Sequence, residues 1–204
     1  MHAYLKRNLF LVLFALMIIP VHAQRKGYSM GYIIDLKGDT ITGWIKDRSP
    51  EPFVDLCSRV RFKPENALFK RRYSPDDILE YGYDNQIFES VPLKEETSFF
   101  RFRYYVHESY DREFLKVILR NEHLTYYHRE YVHEDNNYLD YIPLFHRNNS
   151  DEMVRVTQGI LGLKRNRLKE YFQNCPELVE AIEKKEMDEI LEVYYFYMNQ
   201  CVDP

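Results

Sequence analysis

The sequence predicts an α+β fold, with an antiparallel β-rich N-terminal region (a small barrel or a sandwich) followed by a C-terminal helical tail. Three observations carry this reading. Apolar residues recur at period two between short turn signals from Tyr28 to about His128. Beyond Ser150 the spacing changes to one that suits helices. The chain also holds 18 Tyr and 13 Phe against 7 Gly, and a tyrosine suits a half-buried pleated surface because it joins an apolar ring to a polar tip.

Residues 1–23 read as a cleavable signal peptide. Lys6 and Arg7 start it, an apolar run from Leu9 to Ile19 follows, Pro20 breaks the run, and Val21-His22-Ala23 places small residues at −3 and −1. The apolar run has about a dozen residues, whereas a spanning helix needs roughly 20. Cleavage before Gln24 removes two basic residues and two histidines, leaving 26 Lys+Arg against 32 Asp+Glu. A mildly acidic exported chain is a poor nucleic-acid binder, because affinity for phosphate needs clustered positive charge. The expected location is therefore the periplasm, the outer membrane by association, or the medium, with no transmembrane segment after cleavage.

The expected organisation is a β-rich domain over residues 24–148 and a helical tail over 150–204. Tyr28, Met30, Tyr32, Ile34 and Leu36 share one face of a first strand. Lys37-Gly38-Asp39 turns the chain into a second strand, Thr40 to Ile45. Asp47 to Leu56 contains Pro50 and Pro52 and reads as a loop. Val60 to Lys63 is a short strand, and Lys70-Arg71-Arg72 makes a basic tip. Ser74-Pro75-Asp76-Asp77-Ile78 resembles one helical turn capped by Ser74. Asp84-Asn85 centres a second hairpin.

Phe99 to His107 alternates as a half-buried strand, with Phe100, Phe102, Tyr104 and Val106 opposite Arg101, Arg103, Tyr105 and His107. A turn centred on Asn121-Glu122 would place Leu119 opposite Leu124, Val117 opposite Tyr126 and Leu115 opposite His128. Tyr138 to Phe145 contains Pro143, which suits an edge strand.

In the tail, Ser150-Asp151-Glu152 offers a helix start, and Leu168, Tyr171 and Phe172 form a helical stripe. Leu178 and Ile182 form another stripe, rotated from that of Met187, Ile190, Leu191, Tyr194 and Met198. One straight helix cannot bury both, so a turn near residues 185–188 makes a helical hairpin. A single helix would hold its ends about 36 Å apart, whereas the hairpin brings Cys175 and Cys201 within disulfide reach. That bridge is expected in an oxidising compartment, with Cys57 left over as a buried apolar residue. The tail is too small to stand alone and is expected to pack on the β region.

Gly31-Tyr32-Ile33-Ile34 with Leu36-Lys37-Gly38-Asp39-Thr40-Ile41, the Tyr73-Ser74-Pro75-Asp76-Asp77-Ile78 segment and Phe114-Leu115-Lys116-Val117 resemble a group of uncharacterised exported proteins from Bacteroidota. Cys175-Pro176-Glu177-Leu178 and the late Cys201 are similar to that group too. The resemblance implies an N-terminal β region and a C-terminal helical tail. It implies no activity, and so no functional residue.

Chemistry-bearing motifs are sparse. The sequence has no HExxH, HxH or paired CxxC, no GxSxG elbow and no recognisable SxxK. His128 and His133 stand near Glu134 and Asp135, but their spacing matches no metal-binding pattern, so neither a metal nor a cofactor is expected. Arg101, Arg103 and Tyr105 form the binding candidate, a basic and aromatic strand face suited to an anionic glycan or a partner strand. The expected function is a non-catalytic envelope protein that binds a protein partner or a surface polymer. The alternative is an enzyme acting on envelope polymers or glycans through dispersed acids and tyrosines.

Overall fold

A computed structural model describes residues 27–48, 56–99, 101–133 and 138–202. The segment read as a signal peptide, most of the proline-containing loop, Phe100, Glu134 and Asp135 lie outside these residues. Eleven strands form one sheet: β1 (Ser29–Asp35), β2 (Thr40–Lys46), β3 (Val60–Pro64), β4 (Arg71–Tyr73), β5 (Ile78–Tyr83), β6 (Gln86–Ser98), β7 (Arg101–Val106), β8 (Arg112–Arg120), β9 (Leu124–Val132), β10 (Leu139–Arg147) and β11 (Glu152–Arg155). Their order is β4-β3-β2-β1-β5-β6-β7-β11-β10-β9-β8, and β8 returns to pair with β6. The last six strands in that order therefore close a barrel, and β1 to β5 extend from it as an annexed sheet. The fold is α+β, as the periodicity predicts, and barrel closure decides between the two β architectures.

Closure depends on the length of β6. Residues 87–92 pair with β8 on one side, and residues 93–98 pair with β7 on the other. Residues 86–89 also pair with β5. Three apolar cores follow. Val91, Leu93, Tyr104, Leu115, Tyr127, Leu144 and Met153, one or two from each barrel strand, fill the barrel. Ile33, Ile45, Phe62, Ile78, Tyr81, Phe88 and Phe114 join the annexed sheet to the outer faces of β6 and β8. The third core lies beneath the helices.

The β1–β2 hairpin forms as predicted, and its core face is the one that carries Ile33. Ile33 is buried between Ile41 and Tyr81, whereas Met30 is 49% and Leu36 61% exposed. A Cβ at Gly31 would lie 2.1 Å from the Gly82 carbonyl oxygen, so β1 meets β5 too closely there for a larger residue. Tyr32, on the other face, lies across Gly82. Asp84 and Asn85 adopt φ of 48° and 60° in the β5–β6 turn, the left-handed pair of a tight hairpin. The Ser74–Asp77 segment is the single turn predicted, with the Asp77 amide donating to the Ser74 carbonyl at 3.0 Å, but the side-chain cap comes from Asp77 rather than Ser74. Asp77 accepts from the Ser74 backbone and hydroxyl, both at 2.7 Å.

Three expectations are corrected. The β8–β9 register is shifted: Leu119 pairs with Tyr126 and Val117 with Tyr127, across a bulge at Ile118. The bulge lets Val117 pack with Tyr127 inside the barrel while Leu119, two residues on, packs with Tyr126 beneath the helices. Residues 152–155 form β11 rather than a helix, and β11 inserts between β7 and β10. Pro143 consequently sits in an interior strand. The Val156 amide donates to its carbonyl at 2.9 Å, and the Val156 carbonyl accepts from Lys164 at 2.8 Å. The amide that proline lacks is thus replaced from outside the sheet.

The helices are α1 (Arg165–Tyr171), α2 (Pro176–Glu183) and α3 (Ile190–Phe196), ending in a π turn over Tyr197–Cys201. Pro176 occupies the first turn of α2. Lys185 reverses the chain at φ 60°, and Glu189 with Glu192 form a capping box on α3. Leu168, Phe172, Leu178, Ile182, Val193 and Tyr194 pack on Leu124, Tyr126, Phe145 and Val154, which lie outside the barrel. The tail therefore packs on the β region. Cys175 and Cys201 form a disulfide with Cα atoms 5.4 Å apart. No helix among the described residues is long and apolar enough to cross a membrane.

Candidate functional site

The sequence candidates Arg103 and Tyr105 lie side by side on the outer face of β7. Arg103 pairs across the hairpin with Glu96, and Tyr105 with Lys94. The Tyr105 hydroxyl, hydrogen-bonded to the Arg103 guanidinium, raises the pKa of Arg103. Arg101 belongs to the same strand, two residues earlier, opposite Ser98. The β8 pairing of β6 stops at Pro92, and β11 reaches only Tyr104 and Tyr105 of β7. Residues 96–98 and 101–103 therefore pair only with each other among the described residues, as a two-stranded arm. Residues 94–99 are exposed on both faces, and Phe99 at the tip is 95% exposed, with φ 43°.

Alternation on the barrel strands places charge at both ends of an apolar interior. At one end, Arg129 lies over the Tyr104 ring at 5.9 Å, donates to Glu113 at 2.8 Å and also pairs with Glu95. Burial works against the Arg129 charge, but these two carboxylates outweigh it and raise its pKa.

At the other end, Arg120 donates to Glu80 at 2.9 Å and to Glu89 at 2.7 Å. Tyr127 and Tyr32 donate to the same two carboxylates, each at 2.7 Å. Burial and the Glu80 carboxylate push the Tyr32 phenol up to about 12. An open cavity of about 550 Å³ lies here, lined by Glu89, Arg120, Thr125, Tyr127, His146 and Asn148 among others. His146 contacts the Ser150 carbonyl at 2.8 Å, and burial lowers its pKa.

The sequence reading missed this cavity, because its walls come from β6, β8, β9 and β10. One local signal was present: the acidic Glu89 stands two residues before Val91 and Leu93 on the period-two stripe that enters the barrel. Both carboxylate oxygens of Glu80, and one of Glu89, accept from Arg120 or a tyrosine. The cavity wall is thus polar and can meet polar groups.

The remaining candidates are structural. His128 stacks on Tyr141 with ring centroids 3.7 Å apart and meets the Tyr126 hydroxyl at 2.8 Å, whereas His133 faces Asp140 at 3.5 Å. Among the described residues, no three His, Cys, Asp or Glu side chains are placed to share a metal ion. Cys57 is half-buried and donates to the Glu130 carbonyl at 3.3 Å. Burial, then the Glu130 and Glu113 carboxylates, push its thiol up to about 12, so it is a poor nucleophile.

Burial and then Lys116 lower the His128 pKa to about 4, which sets a pH dependence. The unfolded imidazole titrates near 6.5, so between these values the unfolded chain binds the extra proton and stability falls as pH falls. With partial exposure discounted, about 1–2 kcal/mol should be lost from pH 7 to 4 through this group. His128→Gln keeps an acceptor for Tyr126 and cannot titrate. Urea midpoints at pH 7 and 4.5 should differ less in H128Q than in the wild type, and equal differences would exclude His128 as the cause.

The fold and site define a class by their geometry: a closed six-stranded barrel with an annexed sheet, a projecting β arm and a disulfide-stapled helical cover. No family model, curated protein or solved structure matches the chain.

Proposed function

We propose that this chain is an exported, non-catalytic envelope protein that binds a protein partner or a surface polymer through the β6–β7 arm. The single observation behind this reading is the arm itself, a paired ribbon exposed on both faces and ending in Phe99. Phe99, 95% exposed, and Phe102, 37% exposed, put two large apolar side chains on this arm, and grouped exposed apolar side chains mark interaction surfaces. Arg103 and Tyr105 flank it with a charge and a ring that suit an anionic or aromatic partner. Export rests on the first 23 residues, and the Cys175–Cys201 disulfide fits an oxidising compartment.

The test uses the chain from Gln24 onward as bait in envelope extract, beside a variant carrying Phe99→Ser, Phe102→Ser and Arg103→Gln. A partner or polymer should be retained by the parent and fall by about tenfold or more with the variant. Equal retention by both proteins would remove the arm from the function.

The cavity beside Glu89 and His146 favours the second reading, an enzyme acting on envelope polymers or glycans. That reading requires turnover of a polymer panel that survives the arm variant and is lost in Glu89→Gln.

A further inference from the structure

We propose that the tip of the β3–β4 hairpin docks the protein on an anionic lipid surface. Leu68 and Phe69 stand at this tip, 87% and 80% exposed. Lys70, Arg71 and Arg72 follow without interruption, and all three are exposed. Among the described residues, no ion pair joins them to an acid. Across the hairpin Arg72 pairs with Arg61. This cationic cluster stands out on a chain of net charge −4.

The base of the hairpin is held firmly. Phe62 is fully buried, and Tyr73 packs edge-on against it with centroids 6.2 Å apart. The Ala67 amide donates to the Pro64 carbonyl at 3.2 Å and starts the turn. The tip is thus a shaped projection on a packed support.

The order of chemistry along the hairpin identifies the occupant. Apolar side chains come first, and cations stand behind them by one to three residues, or up to about 10 Å at strand spacing. A membrane surface has the complementary layering, with anionic headgroups above acyl chains, and interfacial apolar groups enter it by about 5–10 Å. Lys and Arg near such a surface add electrostatic attraction that salt screens. A rigid protein partner would need roughly 800 Å² of matched surface, which two protruding side chains do not offer, whereas a fluid surface closes around them. This inference does not depend on the β6–β7 arm.

The experiment is vesicle flotation of the chain from Gln24 onward, which contains every core residue described above. Vesicles of phosphatidylglycerol mixed with phosphatidylcholine are compared with phosphatidylcholine alone. The parent should float with the anionic vesicles, less at 0.5 M salt, and far less with neutral ones. Leu68→Ser with Phe69→Ser, and separately Lys70→Gln, Arg71→Gln and Arg72→Gln together, should each lower the bound fraction about tenfold. Unchanged circular dichroism shows that these surface variants fold. No flotation of the parent, or equal flotation of parent and variants, overturns the proposal. Capture by soluble polyglutamate as strong as by vesicles, and insensitive to the Leu68 and Phe69 changes, also overturns it and assigns the basic run to an acidic macromolecule.

Discussion

Arg48→Met should destabilise the protein by about 3–5 kcal/mol, because it strands two buried carboxylates. The Arg48 guanidinium donates to Asp47 at 2.8 Å and to Glu130 at 2.9 Å. Those two side chains are only 5% and 8% exposed. Lys116 reaches Glu130 at 3.7 Å, and the buried Tyr81 hydroxyl reaches Asp47 at 3.4 Å. Neither can replace a guanidinium that bridges both acids. Burial opposes the Arg48 charge, but Asp47 and Glu130 outweigh it and raise its pKa.

The cluster also ties the annexed sheet to the barrel, since Asp47 follows β2 and Glu130 lies on β9. Urea denaturation at pH 7 should show the loss, and the thermal midpoint should fall by about 10 °C or more for a chain of this size. Adding Asp47→Asn and Glu130→Gln to Arg48→Met removes the stranded charges and should restore much of the stability. A single-variant loss under about 1 kcal/mol would mean that the carboxylates find water or another cation.

Removing the disulfide should cost about 3 kcal/mol on the chain-entropy model. Cys175 and Cys201 are 26 residues apart in sequence. The bond joins the residue before α2 to the end of the terminal π turn. Cys175→Ser with Cys201→Ser should therefore lower the denaturation midpoint, and a reductant should lower that of the parent similarly. The change should be uneven: amide protection should fall most in α2 and α3, while barrel strands keep more of theirs. A midpoint that moves by less than about 1 kcal/mol would show that helix packing alone closes this loop.

Much of this local structure was legible in the sequence. Asp84-Asn85 announced its hairpin because left-handed backbone falls to Asn and Asp, and the two flanking strands are adjacent in the chain. The helical hairpin followed from two apolar stripes that one straight helix cannot bury together. The disulfide followed from that hairpin, with no reference to the rest of the fold. In each case the partners lie within about 30 residues, so a period, a turn residue and a cysteine suffice.

The signals failed where the partners are distant. The period of β1 does not say which face is buried: Ile33 lies inside between Ile41 and the distant Tyr81, while Met30 and Leu36 are exposed. Pro143 looked like an edge residue, yet Lys164 supplies the missing hydrogen bond to Val156. Barrel closure needed a thirteen-residue β6 that pairs with β8 first and β7 later. The cavity near Glu89 and the Asp47–Arg48–Glu130 cluster exist only because that closure brings separate strands together. Taken alone, the sequence determined which segments turn, alternate or coil, because those choices are set by neighbours along the chain. Only the tertiary structure decided which face is buried, which strand is interior and which charges meet, because those depend on desolvation and on contacts between residues far apart in sequence.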